Sequence, residues 1–184
     1  VYHLKKIDHA AELIETYSRI GIVRFNEGDY FGAKEAFEEG QKLGEMKTSD
    51  SRTLEARIDN LSQLCILLVY MGWPRRALEL AREMVDDCQI VNRRSARLQA
   101  HTILGLAYYA NGNLREAIRV GLESVETAEN LQLRFWQSFL DIILGRSYLM
   151  AGNLDRAWQH TMRAIEREEY YPNSNLIDQA RQGL

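Results

Sequence analysis

LGLAYYANGNLREAI at 104–118 and LGRSYLMAGNLDRAW at 144–158 are nearly the same sentence written twice, forty residues apart. Leu-Gly, a Tyr three residues after the Gly, Gly-Asn-Leu and a small Ala recur at matched places. A catalytic site is seldom built twice on one short chain, whereas a structural unit often is. The same punctuation extends towards the N-terminus. Gly28-Asp29, Gly72-Trp73-Pro74, Gly112-Asn113 and Gly152-Asn153 mark four turns whose glycines are 44, 40 and 40 residues apart. A period in that range signals stacked supersecondary units.

Pro occurs only at 74 and 172, and long 3.6-residue patterns run between the turns, so the chain is predicted to be almost entirely helical. Each unit reads as helix, tight turn, helix. Gly ends the first helix in a left-handed conformation that costs it no Cβ clash. Asp29, Asn113 and Asn153 are expected to cap the second helix, with Asn113 and Glu116 forming a capping box. Pro74 suits a first helical position, where its missing N–H costs little. The first (A) helices are predicted at about 8–27, 51–71, 93–111 and 132–151, the second (B) helices at about 30–45, 74–90, 114–130 and 154–170. A short capping helix, or the start of another unit, is expected near 175–182.

Small residues recur where helices must approach. Gly21, Cys65, Gly105 and Gly145 stand seven places before the turn glycines, and Ala33, Ala77, Ala117 and Ala157 five places after. These columns are expected to pack an A helix closely on its own B helix. A Leu at Ala117 would overpack that contact by about 1–3 kcal/mol. Ile20, Leu64, Leu104 and Leu144, with Phe37, Leu78, Ile118 and Trp158, are expected to fill the surrounding layers. Trp73, Trp136 and Trp158 are expected to pack between units.

The bulk properties bound the function. The 184 residues are 46% hydrophobic and 27% charged, the balance of a globular chain. A formal charge of −3 argues against a general nucleic-acid binder. All five lysines fall at or before Lys47, and residues 51–100 carry eight Arg against six acids, including Arg93-Arg94-x-x-Arg97, read as a solvated helix start. Cys65 and Cys88 make no disulfide framework and no CxxC motif, which fits a reducing, cytoplasmic setting. The apolar run CILLVYMGW is too short to span a membrane, and no charged-then-apolar leader is seen. The initial Val suggests a piece of a longer protein.

These residues resemble tetratricopeptide repeats. Leu104-Gly105, Tyr108 and Ala117 match that pattern, as do Leu144-Gly145, Tyr148, Ala157 and Ala164, and Tyr17, Ile20-Gly21, Ala33 and Phe37. The second unit departs from it, with Cys65 for Gly and Leu68 for Tyr. The usual period is about 34 residues; the longer spacing here is similar to the repeats of MalT-like regulators, related signalling ATPases and kinesin light chains. HEAT-type repeats share the longer period but lack this grammar. The resemblance implies an all-α fold, a right-handed α-α superhelix of four repeats at about 8–47, 50–91, 92–131 and 132–171, with 172–184 as a capping helix or a further repeat, in a single solenoid domain over 1–184.

The resemblance also implies a function. Stacked helix pairs offer a concave face suited to a peptide or partner helix. The groove positions carry over as Ser18, Ile22, Phe25 and Asn26; Ser62, Ile66, Val69 and Tyr70; Thr102, Leu106 and Tyr109; and Ile142, Arg146, Leu149 and Met150. Members that hold a C-terminal carboxylate use a Lys-Asn-Arg clamp, but Ser18, Ile22, Gln63, Gln99 and Ile103 stand at the matching places. A buried carboxylate there would be unpaired, so that ligand is rejected. The expected role is a protein-interaction scaffold within a larger cytoplasmic regulatory or signalling protein, with a protein or peptide partner. Two alternatives remain open: a self-association module dimerising through a terminal repeat, and a small-molecule-sensing domain like that of MalT-like transcriptional regulators. No direct nucleic-acid or membrane binding is expected.

Catalysis is not expected. His3, His9, His101 and His160 lack the zinc spacings, and there is no phosphate loop or nucleophile elbow. Asp86-Asp87 and Glu168-Glu169 read as solvated charge, and His160 as a surface or satisfied core histidine. No cofactor or metal is predicted.

Overall fold

The computed structural model describes residues 9–45 and 50–169. These residues form eight helices and no strand: α1 Ala10–Asn26, α2 Tyr30–Glu45, α3 Ser51–Tyr70, α4 Pro74–Val91, α5 Arg94–Ala110, α6 Leu114–Asn130, α7 Arg134–Met150 and α8 Leu154–Glu169. Each expected helix is present, with ends within about two residues of the prediction. The expected capping helix over 172–184 lies outside the described residues. The chain groups into two compact units, Val1–Ala100 and His101–Leu184, the boundary falling inside α5.

The four glycine turns are copies of one another. In the first, Gly28 N–H donates to Phe25 C=O at 3.0 Å and Asp29 N–H to Arg24 C=O at 2.9 Å. This double closure satisfies carbonyls that the helix end would orphan, and it requires a left-handed residue between the helices. Gly28, Gly72, Gly112 and Gly152 supply it, with φ of 82°, 77°, 75° and 77°. The turn between the third and fourth repeats closes in the same way, Leu133 N–H on Ala128 C=O at 3.1 Å, but with Gln132 at φ 53°.

The caps divide. Asp29 Oδ1 accepts from Gly32 N–H at 2.9 Å and Asn153 Oδ1 from Arg156 N–H at 3.2 Å, as expected. Pro74 stands in the first turn of α4. The capping box at Asn113 does not form: its side chain accepts no cap bond. Glu116, its intended partner, turns instead to Arg119 at 2.9 Å. A cap not foreseen appears at Asp50, which accepts from Thr53 N–H at 3.0 Å.

In the first unit α1 packs on α2 and α3, α2 on α3, and α3 on α4. The two small columns meet where expected, Cys65 Sγ pointing at Ala77 C=O at 3.5 Å. At Gly21 the neighbour is different. A Cβ there would stand 2.4 Å from the Phe37 ring, so the aromatic side chain occupies the missing volume. Asn60 Nδ2 reaches across to Phe37 C=O at 2.8 Å, tying α3 to the preceding B helix.

In the second unit α6 packs on α7, and α7 on α8. Leu144, Tyr148 and Ala157 form a buried cluster flanked by Ile118 and Val125. Gly105 and Gly145 approach the Ala117 and Ala157 carbonyls, within 3.9 and 3.4 Å of where a Cβ would lie. Two expected layer residues are exposed, and Leu78 and Ile118 are half-buried. Ile20 is 40% and Trp158 59% exposed, because among the described residues no helix packs on their side of the first and last repeats. Trp73 is also largely exposed, with Lys34 Nζ 5.5 Å from its ring centre. Trp136 is half-buried among Phe135 and Phe139.

Candidate functional site

The groove positions fall into four columns along the A helices. The first, Ser18, Ser62, Thr102 and Ile142, is buried throughout and offers nothing to an incoming partner. Ser62 shows why: Gln99 donates to its Oγ at 2.8 Å from the next A helix, while Met84 Sδ lies 3.6 Å away on its own B helix. The other columns reach the surface. Ile22 is exposed, and Ile66, Leu106 and Arg146 are half-buried. Phe25, Val69 and Tyr109 are half-buried and Leu149 is exposed; Asn26, Tyr70 and Met150 are all exposed.

The structure brings some of these residues together. Phe25 on α1 meets Tyr70 on α3 edge-to-face, ring centres 5.4 Å apart, and Tyr30 at the start of α2 lies 5.6 Å from Phe25. Such pairs are about 0.5–1.5 kcal/mol better than their buried area alone implies, so the patch is held in shape before any partner arrives. Ile22, Val23 and Phe31 are exposed apolar side chains on the same helices. Tyr30 and Phe31 are missing from the groove prediction, although two adjacent aromatics directly after a turn glycine were a signal for them.

Towards the N-terminal ends of α1 and α3, away from this patch, runs a polar ladder between successive A helices. Arg52 reaches Glu12 at 3.3 Å, Arg93 pairs with Glu55, and Gln99 donates to Asp59 at 2.9 Å. A depression of about 110 Å³ opens at Glu55, Asp59, Arg93 and Gln99. Burial pushes the Asp59 carboxyl above its ordinary value, against the opposing pull of Gln99. Arg93 is held by Glu55 and Arg97 donates to Asn92 at 2.8 Å, so two of the three cations at 93–97 are engaged within the protein.

In the second unit Leu149, Leu154 and Trp158 are exposed together around a depression of about 360 Å³, and Met150 is exposed as well. Next to it lies a network that the sequence reading did not foresee. Asp141 is 1% exposed; it lies 2.7 Å from His160 Nδ1 and pairs with Arg167. His160 stacks on Tyr148 with ring centres 5.5 Å apart. His160 is therefore a satisfied core histidine. The lone acid inside FLDIILG was the available signal for its partner.

The two thiols are buried and free. Burial raises both, Cys88 to about 12, so neither is a ready thiolate nucleophile. Among the described residues no three His, Cys, Asp or Glu side chains gather as a metal site. No described helix is long and apolar enough to cross a membrane.

No protein-family model matches the chain, and no curated protein is similar to it in sequence. Solved structures are similar in fold. The apo form of RapI superposes with a TM-score of 0.73 at 12% identity, over 88% of this chain and 58% of that one. The chain thus spans under two thirds of RapI's length. The TPR-like repeats of a kinesin light chain from Podosopora anserina superpose with a TM-score of 0.68 at 17% identity, over 95% of this chain and 88% of that one. A Rap protein complexed with Competence and Sporulation Factor gives 0.59 at 12% identity, over 90% and 56%. Helix pairs, repeated glycine turns and these superpositions together establish a tetratricopeptide-type helical-repeat fold.

Proposed function

We propose that the chain is a protein-interaction module that takes a peptide or helix of a partner on the face of α1 and α3. The observation carrying this reading is the Phe25–Tyr70 contact at 5.4 Å, which fixes an aromatic platform whose Tyr70 side remains open beside exposed Ile22. An exposed aromatic and aliphatic cluster of this kind is a usual mark of a protein-binding surface. The Rap protein bound to Competence and Sporulation Factor offers a precedent on the same fold. The setting is a larger cytoplasmic regulatory or signalling protein, and two buried free thiols fit a reducing compartment.

The test is affinity capture from native lysate with the wild-type chain and an Ile22→Glu/Tyr70→Glu variant side by side. Both residues are exposed, so circular dichroism should show equal helicity. Partners lost by the variant support the reading. A partner held equally by both chains sinks it.

A further inference from the structure

Two cations of α8 are held in place without an opposite charge. Arg156 Nη1 donates to Tyr148 Oη at 2.9 Å, and its guanidinium carbon lies 5.4 Å from the centre of the Tyr148 ring. Arg163 Nη2 lies 3.4 and 3.5 Å from the two ring nitrogens of His160. Tyr148 and His160 stack on each other, so the two guanidinium groups attend one pair of rings. Arg156 and Arg163 stand two turns apart on one side of the helix, about 10 Å between their Cα atoms. Among the described residues neither has a carboxylate partner. The nearby acids Asp141 and Glu129 are both answered by Arg167.

The repeat register makes the exception plain. On α6 the matching positions are Glu116, Arg119 and Glu123, and Arg119 lies 2.9 Å from each carboxylate. Forty residues on, α8 has Arg156, Gln159 and Arg163. Both acids have become arginine and the arginine between them an amide. A face that neutralises itself on α6 therefore carries two uncompensated positive charges on α8. Packing does not require them, since Arg156 is exposed and Arg163 half-buried. Tyr148 adds a second, independent observation. It is 5% exposed, and its oxygen accepts from Arg156, which leaves its own O–H without an acceptor among the described residues. An unused donor on a buried side chain is costly unless something accepts from it.

We propose that Arg156, Arg163 and the Tyr148 hydroxyl form a binding site for a phosphate monoester. Its charge of about −2 at neutral pH matches the two uncompensated guanidinium groups, and its three terminal oxygens accept from both forks and from the tyrosine. A carboxylate brings half the charge and one oxygen fewer. The tyrosine and histidine rings hold the two forks in place beforehand, which lowers the ordering cost of binding. The site is built from α7 and α8 alone and does not depend on the reading of the α1–α3 face.

Nuclear magnetic resonance of the full chain, following arginine Nε–H and α8 amide signals, tests this. The probes are inorganic phosphate, an uncharged short peptide bearing one phosphoserine, its unphosphorylated twin, and acetate. Both phosphate probes should shift the Arg156 and Arg163 signals saturably, with acetate at least about tenfold weaker and the unphosphorylated peptide silent. Arg156→Gln and Arg163→Gln should each weaken binding by about tenfold or more. Neither arginine is buried, so circular dichroism should show both variants folded. Tyr148→Phe keeps the ring stack and should weaken binding severalfold, whereas Arg119→Gln, on α6, should leave it unchanged. A phosphopeptide that binds much more tightly than inorganic phosphate assigns the site to a phosphorylated side chain of a partner; equal affinities assign it to a small phosphate ligand. No saturable shift with either phosphate probe overturns the proposal. An equal loss in Arg119→Gln overturns it too, since general surface charge would then explain the binding.

Discussion

Asp141 Oδ1 lies 2.7 Å from His160 Nδ1, and both side chains are buried within the fourth repeat. Arg167 closes the network on the other carboxylate oxygen. A buried group of this kind adds little over a well-packed apolar set, but breaking it strands the remaining charge. Asp141→Ala should destabilise the protein by about 3–5 kcal/mol. Asp141→Asn keeps one acceptor for the histidine and should cost less. Urea unfolding of the two variants against wild type measures both; an alanine variant within about 0.5 kcal/mol of wild type would show the network to be inert.

Equivalent glycines should respond with opposite signs. A Cβ on Gly21 would sit 2.4 Å from the Phe37 ring, whereas on Gly105 its nearest neighbours are at 3.9 and 4.0 Å. Gly21→Ala must displace a buried aromatic and should cost about 1–3 kcal/mol. Gly105→Ala adds a methyl at ordinary contact distance and removes a helix-interior glycine, for a gain of about 0.5–1 kcal/mol. Thermal melts of the pair decide the matter, and melting shifts of the same sign would contradict it.

Gln132 performs a glycine's task at φ 53°. A left-handed non-glycine residue costs about 1–2 kcal/mol, part of which a glycine returns through its greater freedom in the unfolded chain. Gln132→Gly should therefore stabilise by about 0.5–1 kcal/mol. Denaturant midpoints at constant m-value give the answer. A lower midpoint would mean that the glutamine side chain has a compensating role.

The cap at Asp50 should be legible in the pH dependence of stability. Hydrogen bonds from the Thr53 side chain and then its backbone N–H hold the Asp50 carboxyl below its ordinary value. A carboxyl depressed in the folded state contributes stability above its unfolded value, about 3.9, and loses it as pH falls through the folded one. Asp50→Ala should thus cost about 1 kcal/mol at neutral pH, with the gap narrowing below about pH 4. Melts of both proteins across that range check the sign; a gap that widens in acid would refute it.

Most of the fold was legible because its signals are local. The turn glycines at 28, 72, 112 and 152 each take the left-handed conformation anticipated, since only the residue itself and its helix end determine that cost. The failed capping box at Asn113 has a local cause as well: the Asn113 N–H donates to Tyr108 C=O at 2.9 Å in the turn, and Glu116 pairs with Arg119. The candidate site was read less completely. A groove position is defined by which side of a helix no neighbour covers, and helical periodicity alone cannot say how far a neighbour reaches.

The amino-acid sequence by itself determined that the described residues form four helix pairs in repeat, because 3.6-residue patterning, glycine turns and Pro74 act over a few residues each. Only the tertiary structure decided that Ser18, Ser62, Thr102 and Ile142 are sealed while Ile22 and Tyr70 stay open. Only it set Asp141 against His160, nineteen residues away. Burial and pairing belong to surfaces that meet across the fold, and a surface has no partner until the helices have packed.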